Sequence, residues 1–183
     1  MTTTATDTLT GTWTIDTAHS RVGFTARHAM VTKVRGAFHD FAGVAHLNLD
    51  NPADSHVDLT IEVGSVNTGN EQRDGHLRTN DFFDAATHPQ IRFVSTHVER
   101  VDAENYRLTG DLTIKGITNP VTVDFEYTGV ATDPYGNQRA GFEGKATINR
   151  KDWGVNFNAA LETGGVLVSE KIGLEFDISA IRS

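Results

Sequence analysis

Over most of its length this chain alternates apolar and polar residues with a period of two, and over one stretch, Thr68 to Val94, it does not. A period of two puts alternate side chains on opposite faces of a strand, so a chain patterned this way must be a β-structure with one buried face. Val57, Leu59, Ile61 and Val63 alternate with Asp58, Thr60 and Glu62. Leu108, Leu112 and Ile114 alternate with Arg107, Thr109, Asp111 and Thr113. Val121-Val123-Phe125-Tyr127, Phe142-Gly144-Ala146-Ile148 and Ile172-Leu174-Phe176-Ile178 repeat the pattern, and Val22, Phe24, Ala26 and His28 share one face near the start. Counting such runs predicts about eight strands. Short turns such as Asp133-Pro134-Tyr135-Gly136 join most of them, and strands joined that way are antiparallel. Several runs exceed the ordinary ~5–6 residues. The expectation is therefore an all-β fold, an eight-stranded antiparallel barrel whose closure removes exposed edges. A β-sandwich with an inserted helix is the alternative.

Two places disturb the phase. Phe38 belongs to one parity, whereas Phe41, Leu47 and Leu49 belong to the other; with Gly36 and Gly43 nearby this predicts a bulge or sharp bend. Val94 and Val98 leave the phase after Phe93 ambiguous. A second non-alternating segment runs from Arg150 to Gly165, and connections of that length are usually functional or disordered.

The main interruption reads as a helix. Thr68-Gly69-Asn70-Glu71 fits a capping box. A helix over about 69–79 follows, anchored by Leu77, then the pair Phe82-Phe83, with His88-Pro89 closing the segment. So short and polar a helix is marginal alone, so it must pack as a lid on the barrel.

The length of 183 residues suits one domain, expected over residues 13–183 after a flexible tail over 1–12. The tail lacks a basic and an apolar region, so a cytoplasmic protein is expected, or a periplasmic or secreted one if a signal has been removed. No segment has the roughly 20 apolar residues of a membrane span, so stable insertion is not expected. A net charge of −8 argues against a broad footprint for nucleic acid or an anionic membrane. With no cysteine, disulfides and thiolate chemistry are excluded. The eight histidines are scattered without HExxH or His-x-His spacing, so no metal site is expected. There is no GxSxG elbow and no phosphate-binding glycine loop. Ser20 beside His19 lies on a strand, where neighbouring side chains point apart.

Several motifs in order carry a resemblance. Asp16-x-x-His19-Ser20-x-Val22-x-Phe24-x-x-x-His28, Arg73-Asp74-x-His76-Leu77, Asp81-Phe82-Phe83-Asp84, Pro89-x-Ile91-x-Phe93, Gly110-x-Leu112-x-Ile114-x-Gly116 and Lys145-x-Thr147-x-Asn149-Arg150 resemble the YceI-like family of polyisoprenoid-binding proteins, from about Trp13 to Ile181. The resemblance implies a lipocalin-like barrel holding a long isoprenoid or similar lipid. On composition alone, the inward residues Phe24, Ala26, Leu47, Leu59, Ile61, Phe93, Leu112, Ile114, Phe125, Ala146, Ile148, Leu174 and Phe176 read as a packed core; the resemblance turns them into a lipid-lined cavity. Gly110, Gly144 and Ala146 on the inward parity agree by leaving space. His28 and Glu170, polar residues on the apolar parity, are candidates for a wet mouth that binds a head group. Arg73, Asp74, His76, Leu77, Phe82 and Phe83 are expected to hold the lid, by an Arg–Asp or His–backbone tie.

The leading expectation is a non-enzymatic lipid-binding protein for transport or storage, with no cofactor beyond a bound polyisoprenoid or related long-chain lipid, such as an isoprenoid quinone or fatty acid derivative. A homodimer is compatible with it. The alternatives are an enzyme on a lipid-like substrate with His28 and Glu170 as acid and base, and a structural or stress-response protein with a merely packed barrel.

Overall fold

The computed structural model describes residues 9–48, 50–159, 161 and 167–183. Among them lie β1 (Gly11–Ile15), β2 (Arg21–His28), β3 (Thr32–Phe38), β4 (Phe41–Leu47), β5 (His56–Glu62), β6 (Val66–Asn67), helix α1 (Glu71–Leu77), β7 (Gln90–Arg100), β8 (Asn105–Ile114), β9 (Ile117–Thr132), β10 (Gln138–Asn149) and β11 (Lys171–Arg182). The pairings between these strands are antiparallel. Trp13 of β1 stands opposite Ala45 of β4 on one side and Arg182 of β11 on the other, so the order β1-β4-β5-β7-β8-β9-β10-β11 closes on itself. The molecule is an eight-stranded barrel, and this closure overturns the sandwich alternative.

Three of the strand paths are bent. β2 resumes the path of β1 along β11, with Phe24 opposite Leu174. β3 and β4 are halves of one path broken at His39-Asp40, and β5 and β6 are halves of another broken over Val63–Ser65. The expected phase change is real: Phe38 and Phe41 are both buried, because the chain turns between them. The bend does not fall on Gly36 or Gly43. A bulge between Ser95 and His97 likewise explains why Ile91, Phe93 and Val98 all point inward.

Two boundaries differ from expectation. Residues 1–8 of the expected tail lie outside the described residues, but its end is structural: Leu9 is 0% exposed, its carbonyl accepts the Trp13 indole N–H at 2.8 Å, and β1 begins at Gly11. The helix is shorter than 69–79 and its cap is Asn70 rather than Thr68. Asn70 accepts the Arg73 N–H at 3.0 Å, which frees Thr68 for another task.

Candidate functional site: a cavity along the barrel

An apolar cavity of about 280 Å³ runs through the barrel. It is lined along β11 by Ile172, Leu174, Phe176, Ile178 and Ala180, which is roughly 26 Å of strand at ~3.3 Å per residue. The cavity is therefore long and thin. Of the residues expected inside, Phe24, Ala26, Leu47, Leu59, Ile61, Phe93, Leu112, Ile114, Phe125, Ile148, Leu174 and Phe176 line it. Ala146 packs against the surrounding core opposite Leu174 without lining the cavity.

The inward glycines do not simply leave gaps. Phe24 stands opposite Gly36, Phe125 opposite Gly144, and Phe93 diagonal to Gly110. A Cβ on any of these glycines would come within 2.4 Å of the nearby ring. Each phenyl ring thus occupies the place of the missing side chain and leans onto the neighbouring strand. The space appears along the axis, because the rings lie along the wall instead of projecting across the bore.

The two ends are built differently. At one, Leu9, Trp13, Tyr106, Ala140 and Ala180 form a tight cluster, with Arg182 stacked 5.2 Å over the Trp13 ring. Arg139 reinforces it from outside, donating to Asp16 at 2.6 Å and to Asp133 at 2.8 Å. These bonds hold both carboxyls at a pKa of about 2.

At the other end lies the lid. The expected Arg–Asp tie is indirect: Arg73 and Asp74 both bind Thr68. The Thr68 hydroxyl and N–H donate to the Asp74 carboxylate at 2.6 and 2.8 Å, and Arg73 Nε donates to the same hydroxyl at 2.7 Å. Asp74 is 4% exposed, so these bonds replace its water. His76 bonds the Asp81 carboxylate at 2.8 Å, not a backbone group, and its ring packs edge-on against Phe82 and Phe157. Leu77, Phe82 and Phe83 line the cavity from the lid.

Sequence reasoning missed the most polar element of the wall. Arg150 lines the cavity at 5% exposure and is the only charged residue among its lining. Its guanidinium donates to the carbonyls of Val155 at 2.7 Å, Ser169 at 2.8 Å and Val168 at 3.3 Å. Among the described residues, those three bonds leave two of its five N–H groups over. Burial pushes its pKa down, and the Glu170 charge partly offsets this. The segment from Arg150 to Gly165 that broke the alternation supplies Trp153 and Val155 to the wall, and the Trp153 indole donates to the Leu112 carbonyl at 2.8 Å; residues 160 and 162–165 lie outside the described residues.

His28 and Glu170 do not line the cavity, contrary to expectation. Both are exposed, because β2 ends at His28 and Glu170 lies just before β11. Glu170 is bound by Lys151 at 2.7 Å, which holds its carboxyl below the usual range. Among the described residues no bond joins His28 to Glu170, so the structure does not assemble them as an acid–base pair.

Comparison with known proteins places this architecture. The YceI-like domain model matches residues 13–180. A UPF0312 protein of Staphylococcus aureus (strain MSSA476) is 41% identical over 164 residues, covering 89% of this chain and 93% of its own. Among solved structures, BcnA of Burkholderia cenocepacia superposes with a TM-score of 0.78 at 27% identity, over 90% of this chain and 98% of that one. The YCEI protein of Campylobacter jejuni gives 0.72 at 31% identity, over 86% and 90%. A polyisoprenoid binding domain from Saccharophagus degradans gives 0.69 at 15% identity, over 93% and 98%, a likeness of fold alone.

Proposed function

The chain belongs to the YceI-like family, and from that premise we propose that it sequesters or carries one long-chain lipid within its barrel without transforming it. The class is a polyisoprenoid or a similar amphiphile, such as an isoprenoid quinone or fatty acid derivative. The observation that carries this reading is a thin apolar cavity along the inner face of β11 with one charged side chain, Arg150, on its wall. A folded chain or compact ring system does not fill such a shape; an extended hydrocarbon does. Burial of apolar surface, worth about 25 cal/mol per Å², drives binding, so affinity follows tail length. The spare Arg150 donors set the orientation: the oxygen-bearing head lies at Arg150 and the tail runs toward Trp13. The fold it shares with a polyisoprenoid binding domain supports the same ligand class.

Organic extraction and native mass spectrometry of the purified protein test the reading. The expected result is a single long-tailed lipid per chain. A ligand-free protein that also takes up no long-chain lipid would end it. The orientation has its own check: a fatty acid should bind about tenfold more tightly than its methyl ester, and Arg150→Met should erase that difference while the ester still binds.

A further inference from the structure

The hairpin joining β2 to β3 carries a charge opposite to that of the molecule as a whole. From Thr17 to His39 the chain contains Arg21, Arg27, Lys33 and Arg35 and no Asp or Glu, within a protein of net charge −8. Arg21 is engaged by Glu175 at 3.3 Å. Arg27, Lys33 and Arg35 are exposed, form no ion pair among the described residues, and share the outward face of the hairpin. Arg27 lies directly opposite Lys33. Like charges so placed destabilise a strand pair unless an anion lies over them. The nearby Glu170 is taken by Lys151, so neither it nor Glu175 neutralises this face.

The tip is equally unusual. Ala29 and Met30 have φ of 49° and 65°, and the Val31 N–H closes the turn on the His28 carbonyl at 3.2 Å. Positive φ at both central positions is the type I′ pattern, which favours Asn-Gly. Here a Met occupies it, 61% exposed, beside Val31 at 76% exposed. Two apolar side chains thus project into solvent from a strained turn flanked by unpaired cations.

We propose that this hairpin docks the protein on an anionic lipid bilayer, with Met30 and Val31 entering the interface and Arg27, Lys33 and Arg35 against the headgroup phosphates. Charge complementarity selects this occupant: the hairpin is locally cationic where the molecule as a whole is anionic and repelled. The tip is also joined to the cavity wall. Ala29 N–H donates to the Leu167 carbonyl at 2.7 Å, Ser169 N–H donates to the Arg27 carbonyl at 3.0 Å, and His28 bridges to Val168. Val168 lines the cavity and its carbonyl accepts from Arg150. A membrane contact at the tip therefore lies one strand-bridge away from the wall where the ligand head is placed. The contact is peripheral and weak, as two inserted side chains and a few cations allow. It goes beyond the lipid-binding reading and stands on separate residues.

Co-sedimentation of the intact chain with vesicles of phosphatidylcholine alone, and of phosphatidylcholine mixed with phosphatidylglycerol, tests it across ionic strengths. Binding is expected to the mixed vesicles and to weaken as salt rises. Lys33→Ser and Arg35→Ser should each lower the affinity about fivefold. Met30→Ser should lower it about tenfold. All three side chains are exposed, so none of the substitutions should lower the thermal unfolding temperature, and equilibrium lipid capacity should be unchanged while uptake from mixed vesicles slows. Equal binding to both vesicle types, or binding indifferent to all three substitutions, overturns the proposal. So does the absence of binding; a tip-dependent dimer in that case assigns the surface to a second copy. Vesicle binding without any lipid uptake would instead remove the lipid-binding reading and leave the docking surface standing.

Discussion

The two ends of the barrel solve opposite problems with similar numbers of aromatic residues. At the Trp13 end the aromatic ring is 1% exposed, its N–H is satisfied within four residues, and a cation covers its outer side. At the lid end Phe82 and Phe83 follow a seven-residue helix, and Phe157 from a later segment packs on Phe82, with the helix held by hydrogen bonds that converge on one threonine. The first arrangement belongs to the barrel wall. The second is an attachment whose backbone bonds are mostly its own. The difference is that ladder pairing holds the Trp13 end in the wall, whereas the lid is fastened by side-chain bonds to Thr68.

The largest expected effect lies at the Trp13 end. Trp13→Ala should destabilise the ligand-free protein by about 3–5 kcal/mol in urea unfolding. A loss no greater than that of a lid substitution would erase the distinction between the ends. Asp74→Ala should cost about 1–3 kcal/mol, since it strips both Thr68 donors of their acceptor. Its signature should be kinetic: ligand release speeds up by more than the stability loss explains, which Trp13→Ala should not do. Between the ends, Gly144→Ala should cost about 1 kcal/mol and push the Phe125 ring into the bore, lowering uptake of long-chain lipid in a binding titration.

The smallest effect is the acid sensitivity of the Trp13 end. Asp16 and Asp133 have carboxyl pKa values lowered to about 2 by Arg139. A depressed carboxylate stabilises the fold fully above its unfolded pKa, and that contribution disappears as pH falls through the folded pKa. The melting temperature should therefore fall from about pH 4 toward pH 2, and Arg139→Gln should flatten that part of the profile. An unaltered acid profile in the variant would show that the pair does not secure this end.

The barrel was legible because its strands obey the period of two even where they bend. The bulge at Ser95/His97 was visible only as an ambiguity of phase, since a bulge shifts parity without changing composition. Leu9 was illegible: it sits in a run of threonines, and only the position of the Trp13 N–H makes it structural. Arg150 appeared in a family motif yet gave no sign of burial. An arginine reads as solvated unless one knows that the carbonyls of Val155, Val168 and Ser169 converge on it from a later segment. His28 and Glu170 failed for the converse reason. Parity assigns a face, but beyond a strand end that face is open to water.

Ring closure has a consequence for how the molecule comes into being. The seam joins Trp13, Thr14 and Ile15 to Arg182, Ile181 and Ala180, the first strand of the barrel to its last. On a ribosome the first strand emerges long before its second partner exists, so β1 waits with one edge bare until β11 has emerged. A pairing of such sequence separation is entropically late as well, and folds dominated by non-local pairing form slowly. Nascent chains of this protein should therefore carry an open strand edge, the kind that attracts chaperones or other nascent chains, until β11 is released.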